Sequence, residues 1–205
     1  MTRSISRVAL RLTACALLAA SGCTLLRPPV DRSRFYLLTS IAGDEPARVG
    51  KPVTLGVGPV HLPDYLDRPE VVIRTGPNQI ELSPTDRWAE PVKSGFRRVF
   101  ADNLSRLIKT ERVLQFPWYR GTHLDFQVHA SVQRFDSDTQ GNATLVVRWS
   151  IKTGEGKEVL TPRESRYESA GKGADPGADA GALSDTLAAF SRDVAAALVR
   201  ADRGR

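Results

Sequence analysis

The stretch HLDFQVHASVQRF, His123–Phe135, holds the clearest pattern in the chain. Leu124, Phe126, Val128, Ala130 and Val132 alternate with Asp125, Gln127, His129, Ser131 and Gln133. A period of two puts one set on each face of a strand, so one face is buried and the other meets water. Asp136–Asn142 reads as a polar turn containing Gly141. Beyond it Ala143, Leu145, Val147, Trp149 and Ile151 alternate with Thr144, Val146, Arg148 and Ser150. Two alternating runs joined by a short polar turn predict an antiparallel pair. Gly154–Gly156 turns the chain again, and the more polar Lys157–Ser169 is expected at a sheet edge.

Upstream the same signals recur. Phe35–Thr39, FYLLT, is a short apolar run expected to be the first strand. Val53–Val60 alternates, with Gly56 and Gly58 permitting a bend or a close backbone approach. VVIRT and QIELS flank Gly76-Pro77-Asn78, turn chemistry that predicts a hairpin. Val113–Phe116 is a further short strand.

A sheet with one buried face needs a covering layer. Trp88, Val92, Phe96, Val99, Phe100, Leu104, Leu107 and Ile108 recur at three and four, with Pro91 near the start, where its missing N–H costs little. Leu183, Leu187, Phe190, Val194 and Leu198 give a second stripe. Between them AGKGADPGADAG, 170–181, reads as a flexible loop by composition. The expected class is α+β: a two-layer sandwich of a largely antiparallel sheet covered by two amphipathic helices, spanning residues 35–201.

The N-terminus is of another kind. Arg3, Arg7 and Arg11 precede the apolar run Leu12–Ala20, which is too short for the roughly 20 residues a membrane span needs. Residues 1–22 therefore read as a secretory signal. Ala20-Ser21-Gly22-Cys23 resembles a bacterial lipobox, with alanine where leucine is usual, and makes Cys23 the lipidation site. Plain secretion with a free thiol is the competing reading. Cys15 would leave with the signal, so no disulfide or cysteine metal site remains. Thr24 in place of an aspartate points, by the same resemblance, to the inner leaflet of an outer membrane. Residues 23–34, with Pro28-Pro29, form an extended tether.

The formal net charge of +6 falls by three when Arg3, Arg7 and Arg11 are removed, so composition argues against nucleic acid. No Gly-x-Ser-x-Gly elbow or phosphate-binding glycine loop is present, and Gly56–Gly58 lacks the third glycine of a dinucleotide fingerprint. His61, Asp64 and Asp67 share a spacing of three, but Pro63 interrupts a helix there. His123 and His129, six apart along one strand, would stand roughly 20 Å apart. An enzyme is not expected, nor a metal, nor a cofactor.

The dense stretch VHLPDYLDRPEVVIR, Val60–Arg74, has two prolines bracketing DYLDR. It reads as a tight excursion between strands, with Asp64 able to cap it and Tyr65 and Leu66 able to tuck onto the sheet end. A structural turn and a partner contact both fit this composition. Together with FYLL (35–38) and RWAEPVKSGFRRVFADNL (87–104), the stretch resembles the PqiC/YmbA family, auxiliary lipoprotein components of ABC-type transport systems.

That resemblance implies a non-enzymatic subunit of an MCE-type intermembrane lipid transport system, lipid-anchored on the periplasmic face of the outer membrane. Its partner would be an MCE-domain, PqiB-like tunnel protein, and a homo-oligomeric ring is compatible. The family brings no catalytic residues, so the contact candidates come from its motifs here: Tyr65, Leu66, Asp67, Arg68, Arg87, Trp88 and Glu90. For Trp88 core packing is the stronger expectation. A periplasmic lipid-binding carrier, or an assembly lipoprotein of another envelope machine, stands as the alternative.

Overall fold

The structure, a computed structural model, describes residues 30–43, 52–171 and 176–204. Contacts divide the chain into Met1–Arg32 and Ser33–Arg205, and all the strands and helices named below lie in the second unit. Among the described residues the order is β1 (Arg34–Tyr36), β2 (Leu55–His61), a 3-10 turn (Asp64–Leu66), β3 (Glu70–Gly76), β4 (Gln79–Trp88), α1 (Val92–Ile108), β5 (Val113–Gln115), β6 (Phe126–Asp138), β7 (Ala143–Thr153), β8 (Glu158–Ser169) and α2 (Pro176–Arg203).

The fold is α+β, with one mixed, open sheet. β6 is its spine. One edge pairs antiparallel with β7 along Phe126–Ser137, and β8 follows β7 as the outer strand. The other edge is shared: β2 runs parallel to β6 from Phe126 to Ser131, and β3 parallel to its far end at Ser137 and Asp138. β4 forms the expected hairpin with β3, and short β1 and β5 add parallel edges on β4 and β2. The antiparallel expectation therefore holds for the long ladders and fails at the joints. β2 and β3 follow each other along one edge of β6, so the residues between them must bridge a gap in that edge.

The alternation in β6 reads out as burial, with Phe126, Val128, Ala130 and Val132 inside. A register shift between Val132 and Arg134 then swaps parity. Such a bulge adds one residue and flips the downstream side chains to the other face, so Phe135 is buried at an odd position.

Both helices lie on the inner face. Phe96, Phe100, Leu104 and Ile108 of α1 meet Leu183, Leu187, Phe190 and Leu198 of α2 over Phe126, Leu145, Trp149 and Ile151. Phe190 stacks on Phe100 at 4.7 Å and packs edge-on to Trp149 at 5.8 Å. A polar seam ties the helices to the chain after β1: Ile41 N–H donates to Asn103 Oδ1 (2.9 Å), and Asn103 Nδ2 donates to Ser191 Oγ (3.1 Å).

Several expectations shift. Residues 84–88 belong to β4, so Trp88 ends a strand and does not begin the helical stripe. Asp136 lies in β6 and not in the turn, and His123 precedes that strand. The last helix starts at Pro176, inside the segment read as a flexible loop. Cys23 and the signal lie outside the described residues.

Candidate functional site

The gap between β2 and β3 is closed by the Pro63–Pro69 excursion. Its 3-10 turn is held by Leu66 N–H to Pro63 O (3.1 Å) and Asp67 N–H to Asp64 O (3.0 Å). Asp64 makes no side-chain cap, because Pro63 occupies the cap position. Arg68 closes the turn through Nε to Tyr65 O, 2.7 Å. Leu66 is buried in the main core.

Tyr65 points to the far end of β6. Its hydroxyl donates to Asp136 Oδ2 at 2.8 Å. Arg74 Nη2 reaches the same oxygen at 2.8 Å, and Arg134 Nε reaches Oδ1 at 2.7 Å. The Asp136 side chain is fully shielded from water. Burial pushes its carboxyl up, but the bonds from Arg74, Arg134 and Tyr65 outweigh that and hold it below the usual range. The Tyr65 hydroxyl is pushed up to about 12, first by burial and then by the Asp136 charge. This three-donor knot on one buried carboxylate is what fixes the turn.

The exit of the turn is stitched to the end of β4. Trp88 N–H donates to Pro69 O (2.7 Å), and Ala89 N–H donates to Tyr36 O (2.9 Å). These bonds bring the two motif stretches together. Asp67, Arg68, Pro69, Trp88, Ala89, Glu90 and Pro91 line one open cleft of about 260 Å³. Asp67, Pro69, Ala89 and Pro91 are exposed on its rim, while Trp88, only 8% exposed, forms its wall. Glu90 is positioned by Arg98, whose Nη2 donates to Oε1 at 2.5 Å. Gly95 leaves room for this carboxylate, since a β-carbon there would sit 3.1 Å from Glu90 Oε1.

Of the seven sequence candidates, Asp67, Arg68, Trp88 and Glu90 meet in the cleft. Tyr65 and Leu66 belong to the adjoining 3-10 turn and do not line it. Arg87 is not part of the lining; it faces Glu70 across the β3–β4 ladder with 4.0 Å between Nη1 and Oε1. Sequence reasoning missed Asp136, Arg74, Arg134 and Arg98, which hold the cleft in shape. Only the two prolines and Ala89, inside the quoted motifs, carried a signal for the rest of the rim.

The cleft has a tryptophan wall, proline edges and charges of both signs. Among the described residues no group of three or more His, Cys, Asp or Glu is placed to hold a metal. Among them, too, no helix is long and apolar enough to cross a membrane.

The profile of a family described as "ABC-type transport auxiliary lipoprotein component" matches residues 36–195. In fold, the chain is similar to a crystal structure of a protein from Xanthomonas campestris, at 18% identity and a TM-score of 0.70 over 83% of this chain and 98% of that one. A second crystal structure, of an uncharacterized protein, aligns at 20% identity and a TM-score of 0.64 over 81% of this chain and 98% of that one. No curated protein matches the sequence. With a family profile covering most of its length and the fold shared by these structures, the chain belongs to the PqiC/YmbA-like family of ABC-type transport auxiliary lipoproteins.

Proposed function

We propose that this protein is the outer-membrane-anchored lipoprotein subunit of an MCE/ABC-type intermembrane phospholipid transport system. Cys23 carries the anchor, and the cleft between the 3-10 turn and the start of α1 docks the periplasmic MCE tunnel protein. The observation that carries the reading is the convergence of two motifs, through residues 67–69 and 88–91, on one open cleft with a pre-set shape. Side chains already fixed before binding lose little freedom on docking. The carrier alternative needs an apolar chamber between helices and sheet. That space is filled by Phe96, Phe100, Phe126, Trp149 and Phe190, all fully buried.

The test is purification of the tagged, lipidated protein from membranes, with co-purifying proteins and lipids identified by mass spectrometry. An MCE-domain protein is expected with the wild type and is expected to be lost with Asp67→Lys or Ala89→Arg, both on the exposed rim. Undiminished recovery with both variants would move the docking site elsewhere. Stoichiometric phospholipid without a protein partner would overturn the docking role itself.

A further inference from the structure

The loop after β5 exposes large apolar side chains that the docking cleft does not use. In LQFPWYR, Leu114–Arg120, Tyr119 is 90% exposed and Phe116 44% exposed, while Trp118 is half-buried. The loop is not loosely held. Phe116 N–H donates to Val57 O at 3.0 Å, and its ring packs edge-on to Trp118 at 5.3 Å. Thr122 donates through N–H (3.1 Å) and Oγ1 (2.7 Å) to Tyr119 O, closing the turn.

β2 supplies the seat. At Gly56 a β-carbon would lie 3.1 Å from the Trp118 ring; at Gly58, which has φ 122°, it would lie 2.7 Å from Phe116 Cβ. Two side chains are thus absent from the strand where the loop presses on it, and the loop turns its remaining aromatic surface outward. Across 109–123 the charged residues are Lys109, Arg112 and Arg120 against Glu111, and no carboxylate lies between Arg112 and Arg120.

We propose that this loop is a membrane-contact site, laying Leu114, Phe116, Trp118 and Tyr119 into the interfacial layer of an anionic bilayer with Arg112 and Arg120 on lipid phosphates. Tryptophan and tyrosine favour the headgroup level, where an apolar ring and a polar edge are both satisfied. Flanking cations add attraction to anionic lipid. Aromatic and arginine residues also suit protein interfaces. The bilayer is favoured because arginines flank the aromatics with no carboxylate between them, and because the ten residues from Cys23 to Ser33, at most about 35 Å long, would keep the whole domain beside lipid. The proposal shares the Cys23 anchor with the proposed function but not its MCE partner, so flotation tests what the two share and quenching tests the loop alone.

The experiment places the lipidated protein in vesicles of phosphatidylethanolamine and phosphatidylglycerol, with and without brominated acyl chains. Trp88 and Trp149 are buried, so Trp118 is the tryptophan within reach of lipid. Flotation with the vesicles reports the anchor, and bromine quenching reports the loop. Quenching is expected in the wild type, lost in Trp118→Phe, and largely lost in Tyr119→Ser and Arg120→Glu with flotation unchanged. Floated protein with equal emission in both lipids overturns the proposal, as does quenching that survives Trp118→Phe. Failure to float removes the anchor and the proposal with it. A photo-crosslinking amino acid in place of Tyr119 should form lipid adducts in cells; an adduct to a protein, or to a second copy of the chain, overturns it.

Discussion

Replacing Asp136 by asparagine keeps the shape of the side chain and removes the charge on which three donors converge. The carboxylate is fully shielded, whereas Arg74 and Arg134 are 21% and 25% exposed at their side chains. Hydrogen bonds to a buried charge contribute roughly 1.5–3 kcal/mol each. Breaking a buried pair from one side costs about 3–5 kcal/mol when the partner charge is trapped. Here both guanidinium groups retain some water, and asparagine still accepts one bond, so Asp136→Asn is expected to cost about 2–3 kcal/mol at pH 7. Urea denaturation would read this as a lower midpoint at unchanged slope.

The pH dependence comes from the depressed Asp136 pKa. A carboxyl that titrates lower in the folded chain than in the unfolded one contributes stability fully above the unfolded value. It loses that contribution as pH falls through the folded value. Wild type and Asp136→Asn should therefore differ most near neutrality and converge below the usual carboxylate range. Because Tyr65 hangs from the same carboxylate, the variant should also weaken recovery of the partner proposed for the cleft. A difference under about 0.5 kcal/mol at pH 7, the size of an ordinary surface change, would refute the argument, as would one that stays constant down to pH 3.

Four further variants have expected outcomes. Phe190→Ala removes the ring shared by Phe100, Trp149 and Tyr167 and should cost about 3–5 kcal/mol in denaturant titration. Gly154→Ala drives a β-carbon to 1.7 Å from the Leu124 carbonyl oxygen and should cost about 3 kcal/mol or more; Gly156→Ala, at φ 89° with open space around it, should cost only about 1 kcal/mol. Asn103→Ala strips the partner from the buried Ile41 N–H, for an expected loss of about 1–3 kcal/mol, and faster hydrogen exchange at Ile41 would locate it.

The parts of the site legible in sequence were those written in local chemistry. Pro63 and Pro69 announced the excursion, and the RWAEP motif announced the second rim. The supporting knot was not legible. Arg134 and Asp136 are two apart on one face of β6, but Arg74 comes from β3 and Tyr65 from the turn, so the knot depends on strand pairing and not on spacing alone. A polar residue beside a glycine-containing turn reads as solvated, whereas in the fold Tyr65, Arg74 and Arg134 converge on its carboxylate.

Local patterning was enough to set most of the strands and helices, and which face of each is apolar. A period of two or of 3.6 is a local property, and water enforces it wherever the segment lies. It was enough, too, for the β3–β4 hairpin, since a short turn leaves neighbouring strands no other partner. Packing of the whole chain was needed to place β2 and β3 on one edge of β6, and β1 beside β4. The same packing makes Trp88 the wall of a cleft instead of the start of a helix. Alternation says that a strand has an inside. It does not say which strand lies next to it, because backbone hydrogen bonds are the same for every residue type, and the choice falls to side chains meeting across the whole sheet.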